Sequence, residues 1–208
     1  MVMLETLKKA IAAGFMIGIG AVIYLQCDNK IVGSLMFTIG LFTICAFGMN
    51  LFTGKIGYIV SNKNKPNCLI IWLGNLMGTA FGMVLIRIAK PSLHTVAKDM
   101  MSAKISQSYF TTAILAFFCG VLMYAAVENY RANPHGIGKV IGLFLCVSTF
   151  ILSGFEHSIA DMCYAALAVE SWKDGFDYLL FLLVVTLGNG LGAIALRAIT
   201  YSKKGTDC

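Results

Sequence analysis

Apolar residues run almost unbroken through six stretches of the chain, at positions 10–25, 32–60, 69–89, 109–127, 140–169 and 178–199. Polar segments at 26–30, 61–67, 90–108, 128–139 and 170–177 separate them. A helix needs about 20 apolar residues to cross the hydrocarbon layer, so the pattern predicts an all-α membrane protein with six transmembrane helices. Two of the stretches are too long for a simple crossing. The second covers about 29 residues and the fifth about 30, near 45 Å if fully helical. Each also carries polar residues at mid-depth: Asn50, Thr53, Gly54 and Lys55 in the second, and Ser153, Gly154, Glu156, His157, Ser158 and Asp161 in the fifth. Lipid offers no hydrogen bonds to loose backbone, so such breaks occur only where protein or a water-filled cavity receives them. The pattern therefore predicts that helices 2 and 5 are broken, and interrupted helices of this kind form midplane binding sites in transporters.

A short repeat links the two halves. Gly74-Asn75-Leu76-Met77-Gly78 lies in the third stretch and Gly188-Asn189-Gly190-Leu191-Gly192 in the sixth, each following one of the broken stretches. Three crossings repeated as three crossings invert the second half in the membrane, which is the plan of many transport proteins. The chain reads as a single transmembrane pore domain, residues 1–208, with one repeat at about 1–90 and the other at about 105–208. Six spans put both termini on one side. That side holds nine basic residues (Lys8, Lys9, Lys63, Lys65, Arg131, Lys139, Arg197, Lys203, Lys204) against six on the other (Lys30, Arg87, Lys90, Lys98, Lys104, Lys173). The bias predicts cytoplasmic termini in a multi-pass protein of the cell (plasma or inner) membrane.

Composition removes several alternatives. Residues are 58% hydrophobic and only 12% charged, against about 25% charged in a soluble domain, which leaves no room for a separate soluble domain. The net charge of +6 does not imply nucleic acid, because the basic residues sit in short clusters rather than along one face with interleaved aromatics. The first apolar run lacks a small-residue cleavage site and reads as a span, not a signal peptide. Seven cysteines (Cys27, Cys45, Cys68, Cys119, Cys146, Cys163, Cys208) occur without a CxxC pair, most of them inside apolar runs, where cysteine behaves as a small hydrophobe. No metal or cofactor is expected. The spacings Gly14/Gly18, Gly74/Gly78/Gly82 and Gly188/Gly192 predict close helix packing.

The chemistry gathers at one place. Of the three histidines, His157 alone lies in an apolar stretch, with Glu156 beside it. Ionisable residues at membrane depth mark pathways and relays, and imidazole titrates near neutrality. His157 is read as a proton donor or pore-lining donor, against the plainer reading of a histidine satisfied by neighbouring helices. Haem ligation fails on counting, since no second mid-membrane histidine exists, and His94 and His135 fall in polar connections. A membrane enzyme using Glu156 and His157 as acid and base is disfavoured, because sequence neighbours on a helix seldom converge on one substrate atom. The chain is therefore not expected to be an enzyme.

Four segments in order carry a resemblance. Gly48-Met49-Asn50-Leu51-Phe52-Thr53-Gly54, then Gly74-Asn75-Leu76-Met77-Gly78, then the run from Gly154 through Glu156-His157-Ser158 to Met162, and finally Thr186-Leu187-Gly188-Asn189 resemble the formate/nitrite transporter family over nearly the whole chain. The resemblance implies an aquaporin-like inverted repeat, a homopentamer in the lipid bilayer, and passage of small monovalent anions such as formate, nitrite or hydrosulfide together with protons. It places Leu51, Phe52 and Thr53 at the break of helix 2, His157 at the break of helix 5, and Phe37 and Phe150 where the family carries apolar constrictions. Glu156, Asn50, Lys55 and Asp161 form the supporting polar network.

This chain departs from the family pattern at several positions. Asn50 stands where an acidic residue is usual, Asp161 where an asparagine is usual, and Lys55 where the family residue is small or neutral. Tyr124 takes the place of an asparagine that partners the glutamate. Lys104 stands only approximately where the family carries a lysine before its fourth helix. Lys55 and Asp161 flank the two breaks, and an unpaired charge there would cost several kcal/mol. Either they form an ion pair near the midplane, or Lys55 snorkels to a vestibule while Asp161 caps a half-helix. Two other functions compete with the anion pore: a channel for neutral small solutes, whose paired Asn-Pro-Ala motifs are missing, and a membrane anchor subunit, whose paired cofactor ligands are missing.

Overall fold

The computed structural model describes residues 2–61 and 65–200; of the residues singled out above, Lys63, Lys203, Lys204 and Cys208 lie outside them. Every regular element is helical: α1 (Val2–Gln26), α2 (Lys30–Ala46), α3 (Phe52–Lys55) running into a 3-10 turn (Ile56–Val60), α4 (Cys68–Ala89), α5 (Ser92–Ile105), α6 (Tyr109–Ala132), α7 (Gly136–Leu152), α8 (Ser158–Ala168) and α9 (Trp172–Thr200). Four of these, α1, α4, α6 and α9, are long and apolar enough to cross a membrane. Side-chain caps fix several starts. Asn29 accepts from the Ile31 and Val32 amides, Asn67 from Ile70, and Ser108 from Thr111, each satisfying amides that a helix start leaves open.

The long helices pack in two tight pairs, α1 with α4 and α6 with α9. A Cβ on Gly14 would lie 2.1 Å from the Asn75 carbonyl oxygen, and one on Gly120 would lie 2.1 Å from that of Asn189. Only hydrogen fits there, so the backbones approach as closely as small residues allow. Gly120 stands to α9 as Gly14 stands to α4. Large apolar side chains such as Phe81, Ile88, Phe110, Leu187 and Leu191 face outward and are exposed.

Helical hydrogen bonding lapses between Ala46 and Phe52 and again between Leu152 and Ser158, and both lapses are built the same way. At the end of α2, the Gly48 amide donates to Cys45 and the Met49 amide to Ile44; at the end of α7, Gly154 donates to Ile151 and Phe155 to Phe150. This is the Schellman arrangement, whose turning residue must be left-handed. Gly48 and Gly154 supply it, with φ of 61° and 66°. An asparagine from a neighbouring long helix then stitches each lapse. Asn75 Oδ1 accepts the Phe52 amide at 2.8 Å while its Nδ2 donates to the Ala10 and Asn50 carbonyls. Asn189 Oδ1 accepts the Ser158 amide at 2.9 Å while its Nδ2 donates to the Ala116 and Glu156 carbonyls.

The segment 90–108, read as a polar connection, contains helix α5. Leu93, Ala97 and Met101 are its buried residues, spaced by four along one face. Its first half is tied to the link between α8 and α9: Lys98 Nζ donates to Glu170 at 2.5 Å, and His94 reaches the other Glu170 oxygen at 2.6 Å and the Leu167 carbonyl at 2.7 Å. These contacts hold the Glu170 carboxyl at about 2, below its ordinary 4.5, chiefly through the hydrogen bonds from Lys98 and His94.

Candidate functional site

The starts of the two half-helices that follow the lapses bring two polar side chains together. Thr53, in α3, and His157, at the start of α8, are both buried, with Oγ1 and Nε2 2.9 Å apart. His157 is also the N-cap of α8, and its Nδ1 accepts the Ala160 amide at 3.0 Å. A nitrogen that accepts from a backbone N–H carries no proton of its own. The ring is therefore neutral with its hydrogen on Nε2, and it donates to Thr53. Charging the ring at Nδ1 would require giving up the helix cap.

Aromatic rings continue from this pair. Phe150 stacks on the His157 ring with centroids 5.3 Å apart, and Phe37 meets Phe150 edge-on at 6.1 Å. Leu51 is buried at the N-cap position of α3. Phe52 is buried one residue further on, and its amide is the one Asn75 holds. The six residues Phe37, Leu51, Phe52, Thr53, Phe150 and His157 thus come from three helices and the two lapses, with Phe37 on α2, Phe52 and Thr53 on α3 and Phe150 on α7.

Cavities open on either side of this plug. One, of about 260 Å³, is lined by Phe150 and His157 together with Lys104, Glu156 and Asp161. The other, of about 320 Å³, is lined by Leu51 with Lys55, Arg131 and Lys139. Lys55 and Arg131 also line a larger cavity of about 620 Å³ with Asn50, Tyr58, Lys65 and Arg197. Tyr58 organises part of that wall. Its hydroxyl donates to Glu128, and the Arg131 and Arg197 guanidiniums lie 5.6 and 4.7 Å from its ring centroid, within cation–π range.

The polar network differs from its sequence reading in three respects. Lys55 and Asp161 do not pair. Asp161 Oδ1 takes Lys104 at 3.0 Å, and the same ammonium makes a close ion pair with Glu156. The half-helices α3 and α8 start side by side and lead to opposite cavities, so the charges that follow their starts diverge. Lys55 faces a cavity, as the snorkelling alternative required, but His157 and not Asp161 caps α8. Secondly, Tyr124 does not partner Glu156. Its hydroxyl accepts from Arg197 at 3.1 Å. Thirdly, Lys104 is the central cation of the cluster rather than an approximate bystander. Asn50 contributes its carbonyl to Asn75, and its side chain donates to the Thr6 carbonyl at 3.4 Å.

Known proteins match this chain in sequence and fold. The formate channel FocA of Escherichia coli (strain K12) is 24% identical, over 95% of this chain and 85% of its own length. The nitrite transporter NirC of Salmonella typhimurium (strain LT2) is 27% identical, over 91% of this chain and 79% of its own. Among solved structures, a pentameric formate channel with formate bound superposes with a TM-score of 0.81 at 24% identity, covering 95% of each chain. An FNT family ion channel superposes with a TM-score of 0.83 at 24% identity, covering 94% of this chain and 88% of that one. The family model for formate/nitrite transporters matches residues 1–203. With that match across nearly its whole length, this chain belongs to the formate/nitrite transporter family.

Proposed function

We propose that the protein is a pore for small monovalent anions of weak acids, with formate, nitrite and hydrosulfide as the candidate substrates. The observation that carries this reading is the buried His157–Thr53 donor pair, with Phe150 stacked on the His157 ring and Phe37 edge-on to Phe150. Six crossings form as α1, α2 with α3, α4, α6, α7 with α8, and α9, two inverted sets of three within one pore domain. The matching stitches of Asn75 and Asn189 support that inversion. Both termini face the cytoplasm, on the side of the cavity lined by Lys55, Arg131 and Lys139. Five copies assemble in the cell membrane, as in the pentameric formate channel that shares the fold, and the outward apolar side chains meet lipid or a neighbouring copy.

Passage is coupled to a proton. An ion of carboxylate size entering a dry constriction pays an idealised Born cost of about 20 kcal/mol, and still several after relaxation. Protonating an acid of pKa about 4 at pH 7 costs about 4 kcal/mol. Neutralisation therefore competes with dehydration as a way past the aromatic rings. Basic side chains first raise the local anion concentration, and the Nε2–H of His157 and the Thr53 hydroxyl then hydrogen-bond the permeant species.

The test is uptake of formate, nitrite and hydrosulfide into proteoliposomes while internal pH is recorded, for wild type and His157→Asn. Saturable flux with internal acidification, reduced at least tenfold or altered in selectivity by the substitution, is expected. A current carried without proton uptake would remove the coupled mechanism, and no flux of any of the three by folded protein would remove the anion pore.

A further inference from the structure

The cluster at the entrance on the Lys104 side does not balance in charge. Glu156 and Asp161 are each 1% exposed, and both take the same ammonium, that of Lys104, whose side chain is 16% exposed. The second oxygen of Asp161, Oδ2, is buried without a hydrogen-bond partner. If both carboxyls were ionised, the cluster would carry one uncompensated negative charge, buried and on the wall of a cavity that His157 shares. A buried charge of that kind costs several kcal/mol, and it would repel any anion entering.

The surrounding groups do not supply the missing positive charge. From α8 come Cys163 and Tyr164, from α6 Cys119, and from α1 Tyr24; thiols and phenols add no positive charge at any pH. His157 is committed as a neutral ring, since its Nδ1 accepts the Ala160 amide. Two like carboxyls that cannot both ionise share one proton, as paired carboxyls do elsewhere.

We infer that Glu156 and Asp161 hold a single shared proton against Lys104, forming a titratable site whose occupancy sets the charge of this entrance and thereby the access of anions to His157. With the proton bound the cluster is neutral and the cavity admits an anion; with the proton lost it carries a net negative charge and excludes one. The gating part of this inference rests on the anion-pore reading above. The shared proton does not.

The experiment is infrared spectroscopy of the wild-type protein in lipid at neutral pH, read for a protonated carboxyl C=O band, alongside Asp161→Asn and Glu156→Gln. Each substitution leaves one carboxylate for one ammonium, so the band is expected in the wild type and lost in both variants. Loss in only one variant, or no band in the wild type, overturns the shared proton, and the wild-type spectrum alone suffices if a variant fails to fold. Formate uptake by the wild type should fall with rising pH along the same curve as the band. A band that behaves as expected with no flux at any pH would remove the transport reading and leave the proton site. Flux whose pH profile ignores the band would remove the gating.

Discussion

The two lapses in the helical chain share a skeleton and differ in everything attached to it. At Gly48–Phe52 and at Gly154–Ser158 the backbone follows the same course: a left-handed glycine, a Schellman pair, and an asparagine that holds one amide and two carbonyls. Yet one lapse presents Leu51 where the other presents His157, and offers the amide side chain of Asn50 where the other offers the carboxyl of Glu156. One leads to a cavity lined by Lys55, Arg131 and Lys139, the other to a lysine shared by two carboxyls. The lesson is that the scaffold fixes where two half-helices meet, while the charged side chains beyond each start vary independently of it.

Three perturbations break or sharpen that comparison. Replacing Asn75 or Asn189 by alanine has the largest expected effect. Each change strands a buried amide and two carbonyls, at about 1–3 kcal/mol per group. Thermal unfolding in detergent should show the two variants destabilised alike, by about 3 kcal/mol or more. A large loss for one and little for the other would show that only one stitch bears on stability.

The second perturbation acts on the turning glycines. A Cβ at Gly48 or Gly154 meets nothing within 4 Å, so Gly48→Ala and Gly154→Ala pay only for the left-handed backbone, about 1–2 kcal/mol. Equal shifts in unfolding midpoint are expected, and a much larger shift at either position would mean that its turn is strained beyond its φ.

The smallest effect concerns the tie outside the bundle. The Glu170 carboxyl titrates at about 2 when folded and at 4.5 when free of Lys98 and His94. Its folded value is lowered, so its contribution to stability is full above 4.5 and is lost as pH falls toward 2. The unfolding midpoint of wild type should exceed that of Glu170→Gln above pH 4.5, with the gap closing at lower pH. A gap that stays constant down to 2 would mean that the tie is not ionic.

Much of this was legible in the sequence, and the failures have physical causes. The apolar stretches and their polar, glycine-bearing interruptions point to Thr53 and His157, because polar residues at membrane depth are rare outside protein-lined or water-lined sites. The Gly-Asn repeat was visible, but nothing in it showed that Asn75 and Asn189 hold the ends of α3 and α8. Lys55 and Asp161 were brought together because both follow a break closely. Two half-helices that start side by side and run apart separate their later residues, so closeness to the break was the wrong measure. The role of Lys104 is not legible from spacing, because a lysine reaches its partners through a flexible four-carbon stem and the polar composition of 90–108 does not by itself mark helix α5. The four-residue spacing of Leu93, Ala97 and Met101 was the signal that could have found it. The partner of Tyr124, Arg197 rather than Glu156, is not legible either, since register along a uniformly apolar helix is not marked by pattern.

Helix α5 grips α8 at both ends. Lys98 and His94 hold Glu170, just past the last turn of α8, and Lys104 holds Glu156 and Asp161 at its first. It works as a splint, bridging the half-helix from the side and fixing its position along its own axis. A helix turns about 100° with each residue. The number of residues between Lys98 and Lys104 is therefore as much a part of the site as the side chains themselves: one more or one fewer would swing the ammonium about 100° away from both carboxyls.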